Sequence, residues 1–337
     1  MKVFMIGGTG LLGCAAASEF IKRGHSVKTI ALPDIPKGAE IPEEMEIIIG
    51  SFFDMSDEKI LDLMADSDCF VFAAGVDERV DFPATVYPSY INYNIDPVKR
   101  FLTLSKKAGI TKAVILGSYF AYFAKTRPEM KLTEKHPYIR SRIEQEDAAF
   151  SFAVDGTMDV SVMELPYIFG TQKGRKPVWT IFVEQIAKMG PVTMYPKGGT
   201  AMVTVKQVAQ AIVSAAEMNK GANAYPIAMY NYTWDDYLKI VHKAMGQPKR
   251  PIIHIPKLLY KAYAVFLKKA KEKEKIETGL DYVELAEILY SKFYIDPKAT
   301  KELGVEDDDI ETNIYESMKL SIDAYYKKID LIDMKVE

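Results

Sequence analysis

With 337 residues, 48% of them apolar, the chain is long enough for one large or two modest domains around a sizeable core. Its 43 Lys and Arg against 46 Asp and Glu give a net charge of −3, which provides no general basic field for nucleic acid and makes it an unexpected partner. Two cysteines, Cys14 and Cys69, and four histidines with no CxxC spacing offer neither a disulfide framework nor a zinc site, so no metal is expected and a cytoplasmic location fits best.

In chain order, the first expected strand is KVFMIG at 2–7, and it runs into the stretch MIGGTGLLGCAAASEF at 5–20. That stretch has two incompatible readings, a lipoprotein signal cut before Cys14 or a phosphate-binding loop. The signal reading fails because the n-region ahead of it carries one lysine, Lys2, and Gly7-Gly8-Thr9-Gly10 interrupts the apolar run. Nowhere else do about 18 uninterrupted apolar residues occur, so no membrane span is expected. The glycines at 7, 10 and 13 follow a strand and open a helix. Gly7 suits the tight turn, Gly10 a close approach of backbone to a pyrophosphate, and Gly13 a close packing of helix on strand. The pyrophosphate would rest on the helix N-terminus.

Leu11 to Arg23 carries Leu12, Ala15, Ala16 and Phe20 at helical spacing, and Gly24 ends it. SVKTIAL, EMEIIIG and CFVFAA read as strands two to four, a helix follows from about Pro88 to Ala108, and KAVILGS is strand five. Another helix starts at Tyr138, and VSVMEL is strand six. Alternating strands and helices predict an α/β fold, a doubly wound parallel sheet. Beyond Gly170 the alternation weakens: 171–200 is rich in Gly, Pro and Lys, AMVTVKQVAQAIVSAAE and AYPIAM read as a return to the sheet, and helices dominate from Trp234. The expected division is a dinucleotide-binding domain of 1–170 plus about 201–232, and a smaller, mostly helical substrate domain of 171–200 plus about 233–337.

Strand five ends in Gly117-Ser118, and Tyr138 stands four residues before Arg142, so one helical turn places both on one face. A cation there favours the phenolate of Tyr138, which suits a general acid/base for an alcohol and its ketone, with the Ser118 hydroxyl orienting the reacting oxygen.

On these motifs the chain resembles the extended short-chain dehydrogenase/reductases of the NAD-dependent epimerase/dehydratase superfamily over nearly its whole length. The GxxGxxG loop matches Gly7, Gly10 and Gly13, the turn after strand four matches Ala73-Ala74-Gly75, and the helix asparagine matches Asn94. The catalytic serine matches Ser118 and the YxxxK tyrosine matches Tyr138; ELPYIFG and FYIDPKATKELG match later elements of the family. The resemblance implies NAD or NADP as cofactor, with Ser118, Tyr138, Arg142 and Asn94 as the catalytic set. It places Gly7, Thr9, Gly10, Leu11, Leu12, Gly13, Ser51, Phe52, Ala73, Ala74, Gly75, Leu165, Pro166 and Ile168 against the cofactor, together with Tyr138 and Arg142. A small-molecule substrate is implied, with a homodimer left open.

Three departures stand out. Arg142 replaces the family lysine, keeping the charge on a planar fork. Ala31 stands where NAD-preferring members place an acid, with Lys28, Asp34 and Lys37 nearby but not at the family position, and Gly50-Ser51 replaces a GD pair. Tyr167, beside Pro166, takes the place of an asparagine common in nucleotide-sugar members. With the lysine-flanked apolar segment PKLLYKAYAVFLKKA at 256–270, this leans toward the branch of 3β-hydroxysteroid dehydrogenase and flavonoid reductase relatives. That segment suits a membrane surface, but alternating Lys and Glu in KKAKEKEKIE favour a solvated helix over the site. The expected function is hydride transfer at a secondary alcohol or ketone. The alternatives are a nucleotide-sugar epimerase or dehydratase and a degenerate NAD(P)-binding sensor.

Overall fold

The computed structural model describes residues 1–329 and 331–333; the last part of the expected substrate domain, 330 and 334–337, lies outside them. Seven strands form the main sheet: β1 (Lys2–Ile6), β2 (Ser26–Ala31), β3 (Glu46–Ile49), β4 (Cys69–Phe72), β5 (Lys112–Leu116), β6 (Asp159–Glu164) and β7 (Ala222–Pro226). Their spatial order is β3-β2-β1-β4-β5-β6-β7, and every pairing is parallel. The order reverses between β1 and β4. In a doubly wound Rossmann-type sheet that reversal opens a crevice at the carboxyl ends of the strands, where ligands bind.

The strands are apolar on both faces because helices cover both. In β1, Val3 and Met5 face one cluster and Phe4 and Ile6 the other; in β4, Cys69 and Val71 oppose Phe70 and Phe72. The first cluster is closed by α1 (Leu11–Lys22) through Ala16, Ala17 and Phe20, packed on Val208, Ala211, Ile212 and Ala215 of a helix at Val205–Met218. The second takes Ile60 and Met64 from α2 (Asp57–Met64), Phe101 and Leu102 from α3 (Asp96–Lys107), and Ala149 from the helix that begins at Pro137. Ahead of α3 the chain is already helical from Tyr87, with a π-helical stretch at Ile91–Ile95.

The six N-terminal strands lie where the sequence puts them, and AYPIAM supplies β7. The segment beginning AMVT behaves differently. Gly199–Thr204 joins a second, smaller sheet, antiparallel to Tyr230–Thr233 and parallel to Tyr167–Phe169 and Lys292–Phe293. Only the helix that follows it, started by a capping box between Thr204 and Gln207, returns to the main sheet. The sequence reading assigned no helix at α2, at α4 (Tyr119–Thr126) or at Thr180–Lys188. Among the described residues no helix is long and apolar enough to cross a membrane.

The entry of α1 depends on contact distance. A Cβ on Gly13 would lie 2.2 Å from the Gly7 carbonyl oxygen, whereas one on Gly10 would lie 3.2 Å from the same atom. Gly13→Ala should therefore lower unfolding stability by about 1–3 kcal/mol, and Gly10→Ala by clearly less. Denaturant melts of the two variants check this, and equal losses would contradict the close packing.

Candidate active site

The loop after β1 is shaped by its neighbours. Gly7 has φ +87°, and a Cβ there would meet the Ala73 carbonyl oxygen at 2.6 Å, so the turn after β1 lies directly on the turn after β4. Gly8 N–H donates to Thr29 Oγ1 at 2.9 Å, which fixes the loop to β2. Gly10 is the N-cap of α1 and no side chain caps the helix, so its first N–H groups point into the crevice with the positive end of the helix dipole behind them. Thr9 is buried; its carbonyl accepts from Gln172 Nε2 at 3.2 Å and Arg175 Nη2 at 3.1 Å. The backbone cradle and the uncapped helix end fit the pyrophosphate of a dinucleotide.

The turn after β4 is tied down at Val76. Its N–H donates to Asn94 Oδ1 at 2.8 Å, and its carbonyl accepts from Asn94 Nδ2 at 3.0 Å and from Arg142 Nη2 at 2.9 Å. Arg142 Nη1 donates to Gln145 Oε1 at 2.9 Å, and Gln145 Nε2 donates to the Asn94 carbonyl at 2.8 Å, which closes the network. Gly75, at φ +109°, completes it: a Cβ there would stand 2.6 Å from Asn94 Oδ1. Asn94 lies in the π-helical stretch and is fully buried.

Tyr138 and Arg142 lie one turn apart on α5 (Pro137–Phe150), and the guanidinium carbon sits 5.0 Å from the centre of the Tyr138 ring. Ser118, the N-cap of α4, accepts from Phe120 N–H, and its hydroxyl stands close enough to Tyr138 to act on the phenol, favouring its ionised form. The rings of Tyr90 and Phe120 stand edge-on to Tyr138 at 5.5 and 6.2 Å. Arg142 eases proton loss from Tyr138 as the sequence leads one to expect, but its effect is outweighed. Burial raises the Tyr138 pKa, and Arg142 and Ser118 offset only part of that.

All four catalytic candidates thus meet at the carboxyl ends of β4 and β5. Ala73, Ala74 and Gly75 join them to the glycine loop, and Leu165, Pro166 and Ile168 follow β6 on the same edge; the Leu165 carbonyl accepts from Tyr119 N–H at 3.0 Å. Ser51 and Phe52 follow β3, two strands beyond β1, and Phe52 packs on Phe101 at 5.4 Å. Ala31 ends β2, and Lys28 is paired with Glu46 at 3.4 Å.

Several residues of the site escaped the sequence reading. Gln145, three residues after Arg142, had a legible helical spacing. The charged run Asp77-Glu78-Arg79 directly follows the β4 turn: Arg79 Nη2 reaches Asp77 Oδ2 at 2.6 Å and lies 5.8 Å from the Trp179 ring centre. Burial acts to raise the Asp77 carboxyl, but Arg79 beside it brings it below its usual range, whereas burial holds Glu78 above. No local signal marked Gly279, whose carbonyl accepts Tyr138 N–H at 3.0 Å; a Cβ there would meet Tyr90 Oη at 2.0 Å. His136 supports that crossing, with Nδ1 accepting from Asp281 N–H at 3.1 Å. Among the described residues no cluster of His, Cys, Asp or Glu could hold a metal.

Residues 3–228 match the model of the "NAD dependent epimerase/dehydratase family". A dTDP-6-deoxy-L-talose 4-dehydrogenase (NAD(+)) from Aggregatibacter actinomycetemcomitans is 25% identical over 187 residues, spanning 53% of this chain and 66% of that enzyme, just under two thirds of its length. A nucleoside-diphosphate-sugar epimerase from Pseudomonas aeruginosa superposes with a TM-score of 0.67 at 16% identity, covering 98% of this chain and 99% of its own. The Bordetella bronchiseptica enzyme WbmH, solved with NAD+, gives 0.65 at 18% identity with the same coverage.

His136 makes this region acid-sensitive. Burial pushes its pKa from 6.5 down to about 4. As pH falls through 6.5 the unfolded chain takes up a proton that the folded one refuses, so the stability His136 contributes is present above 6.5 and lost on approach to 4. Relative to His136→Gln, the wild type should lose roughly 3 kcal/mol over that window. Urea melts at a series of pH values check it, and parallel curves would contradict it.

Proposed function

Because the chain belongs to the NAD dependent epimerase/dehydratase family, we propose that it is an NAD(P)-dependent enzyme acting at a secondary alcohol or ketone. The observation that carries this reading is Tyr138 held between Ser118 and the Arg142 guanidinium, beside a glycine loop that fits a pyrophosphate. A nicotinamide dinucleotide in that crevice supplies the hydride donor or acceptor. With its pKa raised, the Tyr138 hydroxyl keeps its proton and is set to donate it to a developing alkoxide. Ser118 orients the same oxygen. Arg142 fixes the electrostatics over the Tyr138 ring, and Asn94 holds the loop on which the ring depends. Substrate oxidation runs the same steps backward, and an epimerase or dehydratase returns the hydride within one turnover.

The rings of Tyr90 and Phe120 give the reacting oxygen an apolar wall, which favours a lipophilic group beside the carbinol carbon. The sugar nucleotides named for the relatives form the alternative substrate class. Both NAD and NADP remain candidates, since Ala31 supplies no acid. In the proposed division, 1–170 plus about 201–232 bind the dinucleotide, and 171–200 plus the chain from about 233 bind substrate. Buried free thiols at Cys14 and Cys69 support a cytoplasmic setting.

Tyr138→Phe tests the chemistry, because the ring still packs while the hydroxyl is lost. Turnover with an accepted alcohol or ketone should fall about 10²- to 10⁴-fold, with dinucleotide affinity nearly unchanged. Half of wild-type turnover would point instead to a binding protein without catalysis.

Arg142→Lys tests the departure from the family. One ammonium cannot reach both the Val76 carbonyl and Gln145 as the fork does. The variant should bind cofactor more weakly, turn over more slowly and lose about 1–3 kcal/mol of stability from groups left unpaired. Calorimetry, kcat/KM and thermal melts decide it, and a gain in kcat/KM would overturn the reading of an arginine-adapted site.

A further inference from the structure

Helix α9 (Lys257–Lys273; α6 at Thr180–Lys188, α7 at Val205–Met218 and α8 at Trp234–Ala244 precede it) is amphipathic with its apolar face turned outward. Leu258 is 80% exposed, Phe266 67%, Leu259 61% and Tyr263 59%; Val265 is exposed too, and Ala264 is the one residue of the helix that is buried. At 3.6 residues per turn these large side chains share one side over the first three turns. Its inward side sets Tyr260, Ala264 and Leu267 among a row of lysines. Lys257 and Lys261 pair with Glu287, Lys268 with Asp281 and Lys271 with Asp81, so the lysines that would otherwise shield the stripe are drawn toward the body. At the far end of the outward face the stripe runs into Lys269 and Lys273, exposed and without an ion pair among the described residues. Just before the helix, Ile253 and Met194 are partners in a two-stranded ribbon and both are half-exposed.

We propose that α9 docks this protein, lying parallel to the plane, on an anionic membrane surface. A row of large apolar groups including a tyrosine, ended by free lysines, matches the boundary between acyl chains and negatively charged headgroups. Charge complementarity selects this occupant. Of the seven lysines between 257 and 275, Lys257, Lys261, Lys268 and Lys271 are paired with Glu287, Asp281 and Asp81, whereas Lys269 and Lys273 stay on the outward face without an acid partner among the described residues. The helix leads straight into Ile276–Glu277, paired with Phe82–Pro83, and then to Gly279 on Tyr138, so the docked face adjoins the wall of the candidate active site. The docking surface stands independently of the proposed chemistry.

Co-flotation of the purified full chain with phosphatidylcholine vesicles, with and without phosphatidylglycerol, tests the proposal. The protein should float with the anionic vesicles, less so as salt is raised. Leu259→Ser combined with Phe266→Ser, both at exposed positions, should reduce the bound fraction about tenfold or more while leaving the melting temperature and dinucleotide affinity unchanged. Lys269→Glu combined with Lys273→Glu should likewise reduce it. Wild-type protein that stays at the bottom with both vesicles overturns the proposal, as does equal flotation with neutral vesicles or undiminished flotation of the serine variant. So does a dimer in sedimentation that the serine variant splits without any flotation, which would make the face a contact between two copies.

Discussion

Val76 uses both of its backbone polar groups on side chains from elsewhere in the fold: its N–H goes to Asn94, and its carbonyl receives Asn94 and Arg142 together. A loop leaving a parallel strand has no ladder partner of its own, so a buried turn needs such donors and acceptors from outside. Here they come from two helices, and Gln145 ties the two suppliers to each other. The turn after β4 therefore cannot shift without breaking contacts on both. Since Gly7 rests on Ala73 in the same turn, the glycine loop inherits that fixed position, and the Tyr138 ring inherits it through Arg142.

This network gives Arg142 a reason to be arginine. A lysine would bring one compact charge near the tyrosine, but the planar fork bonds a carbonyl and an amide while staying stacked near the ring. Its remaining Nε is buried with no partner among the described residues. The side chain is thus engaged structurally before any ligand arrives, and its charge acts on Tyr138 from a fixed distance. Burial still dominates the hydroxyl, so the site holds a phenol and not a phenolate.

What the sequence made legible was local. A strand, a glycine loop and a helix in succession are punctuated by Gly7, Gly13 and Gly24, and Tyr138 and Arg142 are related by one helical turn; both signals survive without tertiary knowledge. The failures were choices of partner. Gly199–Thr204 looks like any β-branched strand, and nothing in it says that it pairs with Tyr230–Thr233 and not with the main sheet. The aromatic run of α4 is only about two turns long, and it is started by Ser118, whose hydroxyl serves both as the cap and as a neighbour of Tyr138. Gly279 approaches Tyr90 and Tyr138 across a sequence gap that no pattern spans.

The segment around Gly279 also joins the two ends of the molecule's chemistry. Tyr138 N–H, at the first turn of α5, would be an unsatisfied helix donor, and the Gly279 carbonyl fills that role. Holding that carbonyl in place are His136 on Asp281 N–H and the short pairing of Ile276–Glu277 with Phe82–Pro83, with Glu277 also accepting from Val86 N–H at 2.8 Å. α9 enters this segment directly, and Lys268 and Lys271 bind it to Asp281 and Asp81 on either side. The same ion pairs that turn the lysines inward, and so leave the apolar stripe facing out, fasten the helix to the wall over Tyr138. Its outward exposure follows from how the site is closed.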